Sequence, residues 1–285
     1  MKLRLSLVLI ACIVLSQLMA HAADRTNLCV MTFNLRYASS KSPNSWPERR
    51  PVMRDCIASI GPDLIGTQEG LYQQLKDVAT DLPAYEWIGL GRDGGSRGEF
   101  MAVFYKRDRF EPLEYDHFWL SDTPEVIASS TWGNTNRRMV TWVRFRDRIS
   151  NREFYFTNTH LDHALQPARE KGAALIRQRL DALKTELPIL LVGDFNAKAG
   201  DNKAYDILVR DGGFTDSWTA ARERRGAIVK TFHDFGGPRP GDERIDWILS
   251  RGPVQAEAAE IITFNKNGHY PSDHFPVITW VSWSR

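Results

Sequence analysis

The chain has 285 residues, 42% hydrophobic and 25% charged, which suits a globular protein with a sizeable core. Its 37 Lys and Arg face 35 Asp and Glu, so the balance lacks the basic excess of a protein built to grip long nucleic acids. Three cysteines are too few for a disulfide-stapled scaffold.

The N-terminus reads as a secretory signal peptide over residues 1–22. Lys2 and Arg4 precede an apolar stretch from Leu5 to Met19, and Ala20-His21-Ala22 puts small residues at the two positions a signal peptidase reads. The stretch is too short and wrongly flanked for a stable membrane span. Leu9-Ile10-Ala11-Cys12 resembles a lipobox, but cleavage there would leave the apolar Ile13 to Leu15 right behind the cysteine. Cleavage after Ala22 removes Lys2 and Arg4 and leaves 35 basic residues against 35 acidic ones. The expected product is an exported, formally neutral domain over 23–285, with no membrane span of its own, acting as a monomer. Cys12 departs with the signal. Cys29 and Cys56 either pair in the oxidising compartment or stay as buried thiols, and the sequence leaves both open.

In chain order, "LCVMTFNL" (28–35) reads as a strand. A helix follows over 46–61, with Pro47 in its first turn and Gly61-Pro62 as its stop. "DLIGTQE" (63–69) is a short strand and 71–82 a helix, an opening that indicates α/β layering. "GLGRDGGSRGEF" (89–100) reads as a mobile loop and lacks the Lys-Ser/Thr ending of a P-loop. "EFMAVFYK", "FEPLEYDHFWL", "RMVTWVRF" and "REFYFTNTHL" are strand-like, aromatic and β-branched. A long helix over about 167–186 leads to the strand "PILLVGDF". A short helix from Ala204 to Arg210 and the strands "RIDWILS", "AAEIITF" and "FPVITWVSW" complete the chain. No repeat, low-complexity tract or interdomain linker interrupts it.

Polar residues that chemistry can use recur at these strand ends: Asn34, Gln68, Glu69, His160, Asp162, Asp194, Asn196, Asp246, Asp273 and His274. Each alone has a plain explanation as a cap, an Asx turn or a buried ion pair. Six such endings on separate strands fit a shared site better, because sites on α/β scaffolds collect at strand ends. Oxygen ligands such as Asn34, Glu69 and Asp273 suit a hard divalent cation, Mg²⁺ or Mn²⁺, and no zinc-spaced Cys/His cluster competes. His160, His274 and Asn196 suit a phosphoryl group gaining charge. Asp194 is placed to orient and deprotonate water, and Asp246 to fix a histidine tautomer.

"MTFNLRY", "GTQEG", "NTHLDH", "VGDFNA", "RIDWIL" and "SDHFPV" resemble, in order and over nearly the whole mature chain, the motifs of the endonuclease/exonuclease/phosphatase superfamily, the DNase I-like fold. That resemblance implies two mixed β-sheets packed face to face with helices outside. It implies a metal held by Asn34 and Glu69 with Asp273 close by, water activated by Asp194, and Asn196 as transition-state donor. It also implies phosphate contacts from His160 and His274, with Asp246 as the partner of His274. Arg36 stands where the apurinic-endonuclease branch has a second carboxylate, which argues against abasic-site repair. Asp162 and Arg169 are further substrate-binding candidates. His163 has the bland alternative of a polar strand-end residue. Trp46, Trp119 and Trp132 are candidates for a substrate groove, although aromatic residues are more often core.

The reading is an exported, divalent-metal-dependent phosphohydrolase, with a phosphodiesterase of a small or lipid-derived ester placed first. A phosphomonoesterase on a sugar or inositol phosphate comes second. An extracellular endonuclease would need a basic groove that the charge balance does not advertise, so nucleic acid is not the favoured partner. A catalytically dead binding module would show eroded motifs, and none of the core positions is eroded.

Overall fold

The computed structural model describes residues 27–283. The signal-peptide and lipobox readings concern residues 1–22 and lie outside the described residues. Among the described residues thirteen strands form two sheets. One sheet has seven strands in the order β10 (Glu223–Arg225), β12 (Val254–Ile261), β13 (Val277–Trp283), β1 (Leu28–Asn34), β2 (Leu64–Leu71), β4 (Glu99–Lys106), β3 (Tyr85–Ile88). The other has six, in the order β5 (Phe110–Trp119), β6 (Met139–Asp147), β7 (Arg152–His160), β8 (Ile189–Asp194), β11 (Asp246–Arg251), β9 (Thr215–Asp216). Both are mixed: β1–β2 and β7–β8 are parallel pairs among antiparallel neighbours. This is the DNase I-like arrangement expected from the motifs.

The layers follow from the period-2 alternation of strand side chains. In β8, Leu190 and Val192 face the other sheet and meet Val30, Leu64 and Val103. Ile189 and Leu191 face the opposite way, onto Ala173, Ile176 and Leu180 of the helix α3 (Gln166–Ala182). On the outer face of the seven-stranded sheet, α1 (Trp46–Ile60) and α2 (Tyr72–Asp81) apply Met53, Ile57, Leu75 and Val78 to Met31, Phe33 and Ile65. Strands apolar on both faces therefore end up covered on both faces. The start and stop of α1 are those its sequence signals: Glu48 accepts from the Ser45 amide at 2.9 Å, and Gly61 ends the helix at φ 60°.

Some expectations change. The short strands β3, β9 and β10 carry too few residues for a periodic signal. Residues 204–210 are not one helix: Lys203–Tyr205 form a single α-turn that runs into a π-turn over Asp206–Arg210. The 89–100 loop is laced by hydrogen bonds from Gly91 N to Gly95 O and from Arg92 N to Glu99 O. Cys29 and Cys56 are both buried free thiols, and burial pushes each up to about 12.

Between the sheets, just beneath the strand ends, lies a polar cross-link. Gln68 Nε2 donates to Asn158 Oδ1 at 2.7 Å and to Thr32 Oγ1 at 3.1 Å. Asn158 Nδ2 donates to the carbonyls of Thr67 and Ala102 at 2.8 and 2.9 Å. Thr32, Gln68 and Asn158 are all fully buried. Gly66 lets the sheets close here, since a Cβ on it would stand 2.3 Å from Val192 Cγ2. Asn158→Ala would remove the shortest acceptor of Gln68 Nε2 and a side-chain donor to each of two carbonyls. A destabilisation of about 2–4 kcal/mol is expected from the usual cost of orphaned buried polar groups. Urea unfolding measures it, and a change near zero would show that the cross-link is dispensable.

Candidate active site

Strand register gathers the polar endings at one edge of the sandwich. His160 ends β7 opposite Asp194 at the end of β8, and Asp246 opens β11 on the other flank of Asp194. Asn34 ends β1 beside Gln68 of β2, with Glu69 next along. Asn34 then crosses between the sheets, donating from Nδ2 to Asp194 Oδ2 and to Glu69 Oε1, both at 3.0 Å.

Asp194 is the centre of this arrangement. Besides Asn34, its Oδ1 accepts the Asn196 amide at 2.9 Å. His160 Nε2 lies 3.4 Å and His274 Nε2 3.8 Å from its Oδ2. His274 Nδ1 pairs with Asp246 Oδ2 at 3.0 Å. Asn196 Nδ2 stands 2.9 Å from His160 Nε2 and donates to Leu161 O at 3.1 Å.

The two histidines are driven apart in charge. Burial pushes His160 well below its ordinary value, and the nearby positive charge of Arg138 adds to that, so it is neutral. Burial pulls His274 down as well, but the charges of Asp246 and Asp194 outweigh it and raise it to about 10, so it is a cation at neutral pH. Asp194 is raised by burial and by the charge of Asp246, against the pull of His274, to about 7. The site thus holds a carboxyl raised above its ordinary range beside an imidazolium.

Asp194, Asp246 and His274 bring three ligand atoms within 4.8 Å of one another, close enough to hold a metal ion. His274 Nδ1 is already hydrogen-bonded to Asp246 Oδ2, and a histidine ligates only as the neutral imidazole. Glu69 and Asp273 fit a cation better. The Arg36 guanidinium lies between them, 3.9 Å from Glu69 Oε2 and 3.5 Å from Asp273 Oδ2. Burial raises the Asp273 carboxyl, with the nearby charge of His274 pulling the other way. Carboxylate oxygens of this kind suit a hard divalent ion. The Asn34 amide presents its nitrogen, not its oxygen, to Glu69, and its Oδ1 accepts the Arg36 amide at 2.9 Å.

The backbone around these groups is held under strain. Arg36, Glu69 and Asn196 have φ of 53°, 63° and 47°. Such left-handed residues persist only where surrounding contacts over-determine them, and they cluster at functional sites. For Arg36 the surround is Arg49 of α1, 2% exposed, whose guanidinium donates to the carbonyls of Leu35, Arg36, Tyr37, Asn44 and Pro271. It ties the turn after β1 to the segment that carries Asp273.

These groups open into a cleft of about 540 Å³. Glu69, His160, Asp194, Asn196, Asp273 and His274 line it, while Asn34 and Asp246 stand behind. The other sequence candidates lie elsewhere. Asp162 is buried, and its Oδ1 accepts the amides of Ala164 and Leu165. Arg169 turns back to the Asp162 carbonyl and Gln166. The tryptophan groove does not form. Trp46 and Trp119 are 7% and 2% exposed in the core, and the Trp132 indole donates to Asp122, over α3 and away from the cleft. Trp119 instead fixes the 89–100 loop by donating to the Arg92 carbonyl.

Sequence reasoning missed Arg92, Arg138, Asn136 and Phe232, which also line the cleft. None sits in a motif with a chemical spacing. The Asn136-Arg137-Arg138 run before β6 was the single local sign, and it gave no means of telling the exposed arginine from the buried one.

A sequence profile of the endonuclease/exonuclease/phosphatase family matches residues 31–274. The chain belongs to this family. A family member of solved structure from Bacteroides thetaiotaomicron is 33% identical, with a TM-score of 0.87 over 91% of this chain and 99% of that one. A mannosyl-6-phosphatase of the same organism is also 33% identical, with a TM-score of 0.84 over 90% and 100%. An uncharacterised protein of Acanthamoeba polyphaga mimivirus is 28% identical over 57% of this chain, which spans 63% of that relative. Family members are phosphoester hydrolases, and the buried Asp/His centre described above is the part of this chain suited to that chemistry.

Two outcomes follow for the centre. Were Asp194 the general base, burial and the charge of Asp246, which raise its carboxyl, would move the acid limb of the kcat/KM profile above the ordinary carboxylate range. A limb near pH 4 would remove Asp194 from that role. Asp194→Asn and His274→Ala should each lower kcat by on the order of 10² or more with the far-ultraviolet spectrum unchanged.

Proposed function

We propose that this chain is a divalent-metal-dependent phosphomonoesterase that releases phosphate from a sugar phosphate. The observation that supports the reading is the pair of positive groups that line the cleft, the His274 imidazolium and Arg36. A monoester carries close to two negative charges at neutral pH, a diester one. Sequence alone put the diester first. The charge at the centre, together with the end-to-end likeness to a mannosyl-6-phosphatase, favours the monoester.

A divalent cation held by Glu69 and Asp273, Mg²⁺ or Mn²⁺, would supply neutralisation of phosphoryl charge. Asp194 orients a water and takes its proton as the water oxygen bonds to phosphorus. The His274 imidazolium, held in one tautomer by Asp246, donates to a phosphoryl oxygen as charge builds there. Neutral His160 accepts from Asn196 Nδ2 at rest, and Asn196 adds a second donor on turning to the phosphoryl group. The ester P–O bond breaks, and the alkoxide leaves as the alcohol after taking a proton from the solvent-open cleft. Export after cleavage at Ala22 belongs to the same proposal and rests on residues 1–22. A mature N-terminus at Ala23, in protein recovered outside the cytoplasm, checks it.

The test is a panel of sugar phosphates, small diesters and plasmid DNA, with and without EDTA. Sugar phosphates should be turned over best, EDTA should abolish activity, and Mg²⁺ or Mn²⁺ should restore it. Full activity in chelator, or rescue by zinc alone, would overturn the metal assignment. Diester or DNA cleavage with monoesters untouched would overturn the substrate class.

A further inference from the structure

Away from the reacting centre the cleft continues over the start of β6, where its wall is made of polar groups that no step above uses. Arg138 is 4% exposed and lines the cleft, yet its guanidinium is thinly bonded. Nη2 donates to His163 Nδ1 at 3.2 Å. Nε is buried with no hydrogen bond, and the nearest carboxylate oxygen, Asp162 Oδ2, stands 4.0 Å from it. That oxygen is itself buried without a partner, although the other oxygen of Asp162 is fixed by two amides. A buried donor and a buried acceptor thus face each other just out of reach, in a site where native proteins pair nearly every such atom.

The neighbours show what would complete the arrangement. Arg92 reaches in from the 89–100 loop, paired with Glu99 through Nη1 and donating through Nη2 to Asn136 Oδ1 at 3.3 Å. Each arginine therefore has a carboxylate nearby, Glu99 for Arg92 and Asp162 for Arg138. What Arg138 lacks is acceptors, not negative charge. Asn136 and His163, on the same wall, each offer both donor and acceptor capacity. A hydroxyl also gives one donor and two acceptor lone pairs, so a group of hydroxyls complements this wall better than a second anion does.

We infer that Arg138, with Asn136 and His163, forms a subsite for the hydroxyls of the alcohol half of the phosphoester, and that Asp162 is the positioning residue for Arg138. The inference rests on the sugar-phosphate reading and deepens it. Substrate hydroxyls accept from the Arg138 fork, and Arg138 Nε closes onto Asp162 Oδ2. An ester whose alcohol has no hydroxyl leaves those buried donors unpaired, and that is a strong basis for rejecting it.

The experiment is steady-state kinetics of the purified protein on a hexose 6-phosphate and on phenyl phosphate, whose leaving group carries no further hydroxyl. The readout is the ratio of the two kcat/KM values. Arg138→Lys and the half-buried Asn136→Ala should each lower that ratio by about 10-fold or more, chiefly by raising KM for the hexose phosphate. Asp162→Asn should move it the same way, without a matching loss of kcat. An unchanged ratio in Asn136→Ala and Arg138→Lys, whether both rates fall together or neither falls, overturns the subsite. A wild-type protein that prefers phenyl phosphate overturns it too. A wild-type protein inactive on both, but active on diesters, overturns instead the sugar-phosphate reading and takes the subsite with it.

Discussion

The Gln68–Asn158 contact fixes everything above it. Two β-sheets packed through Val, Leu and Phe side chains can slide by small amounts at little cost, because apolar burial has no direction. Fully buried amides cannot, since each donor and acceptor must find its partner. Gln68 Nε2 of one sheet and both amide groups of Asn158 of the other find their partners in one relative placement of the sheets. That placement puts Asn34 and Glu69, next to Gln68, across from His160 and Asp194, next to Asn158. The Asn34–Asp194 hydrogen bond is the result at the surface. Gly66 serves the same end by removing a side chain where the sheets approach most closely.

On that frame the site solves an electrostatic problem. Several carboxylates share a small, mostly dry volume, and charges of one sign in such a place must be neutralised, paired or protonated. Asp246 is paired with the His274 proton. Asp194 takes donors from Asn34 and from the Asn196 amide and still titrates far above an exposed aspartate. Glu69 and Asp273 have Arg36 between them. The same crowding that makes the unliganded centre costly suits it to a substrate and a metal that bring opposite charges.

Geometry that exact needs the backbone held in places it avoids. Left-handed backbone at Arg36 and Glu69 costs about 1–2 kcal/mol per residue. The five carbonyl contacts of Arg49 offset that at Arg36, and they explain why an arginine with no carboxylate within ion-pair distance is buried beneath the turn. The "SWPERR" stretch thus builds both the cap of α1 and the support of the turn after β1.

Most of the strands and the three long helices were legible in the sequence, because hydrophobic period, helix stops and turn residues are local properties of the chain. The chemical types at the strand ends were legible for the same reason: Asn34, Glu69, His160, Asp194, Asp246 and His274 each break an apolar run with a group a buried strand has no use for. What each one does was not. Whether Asn34 offers its oxygen or its nitrogen depends on Asp194, 160 residues away in the other sheet. Whether His160 or His274 carries a charge depends on burial, which keeps His160 neutral with Arg138 adding to it, and on Asp246, which with Asp194 outweighs burial at His274. Trp46 and Trp119, plausible groove residues by composition, are core because neighbours distant in sequence cover them. Arg92 and Arg138, ordinary by sequence, line the cleft because the 89–100 loop and the start of β6 fold over it. Sequence by itself determined the elements and the inventory of reactive groups, since both follow from residues near each other in the chain. Tertiary structure decided charge, orientation and access, since those are set by what stands within a few ångströms in space.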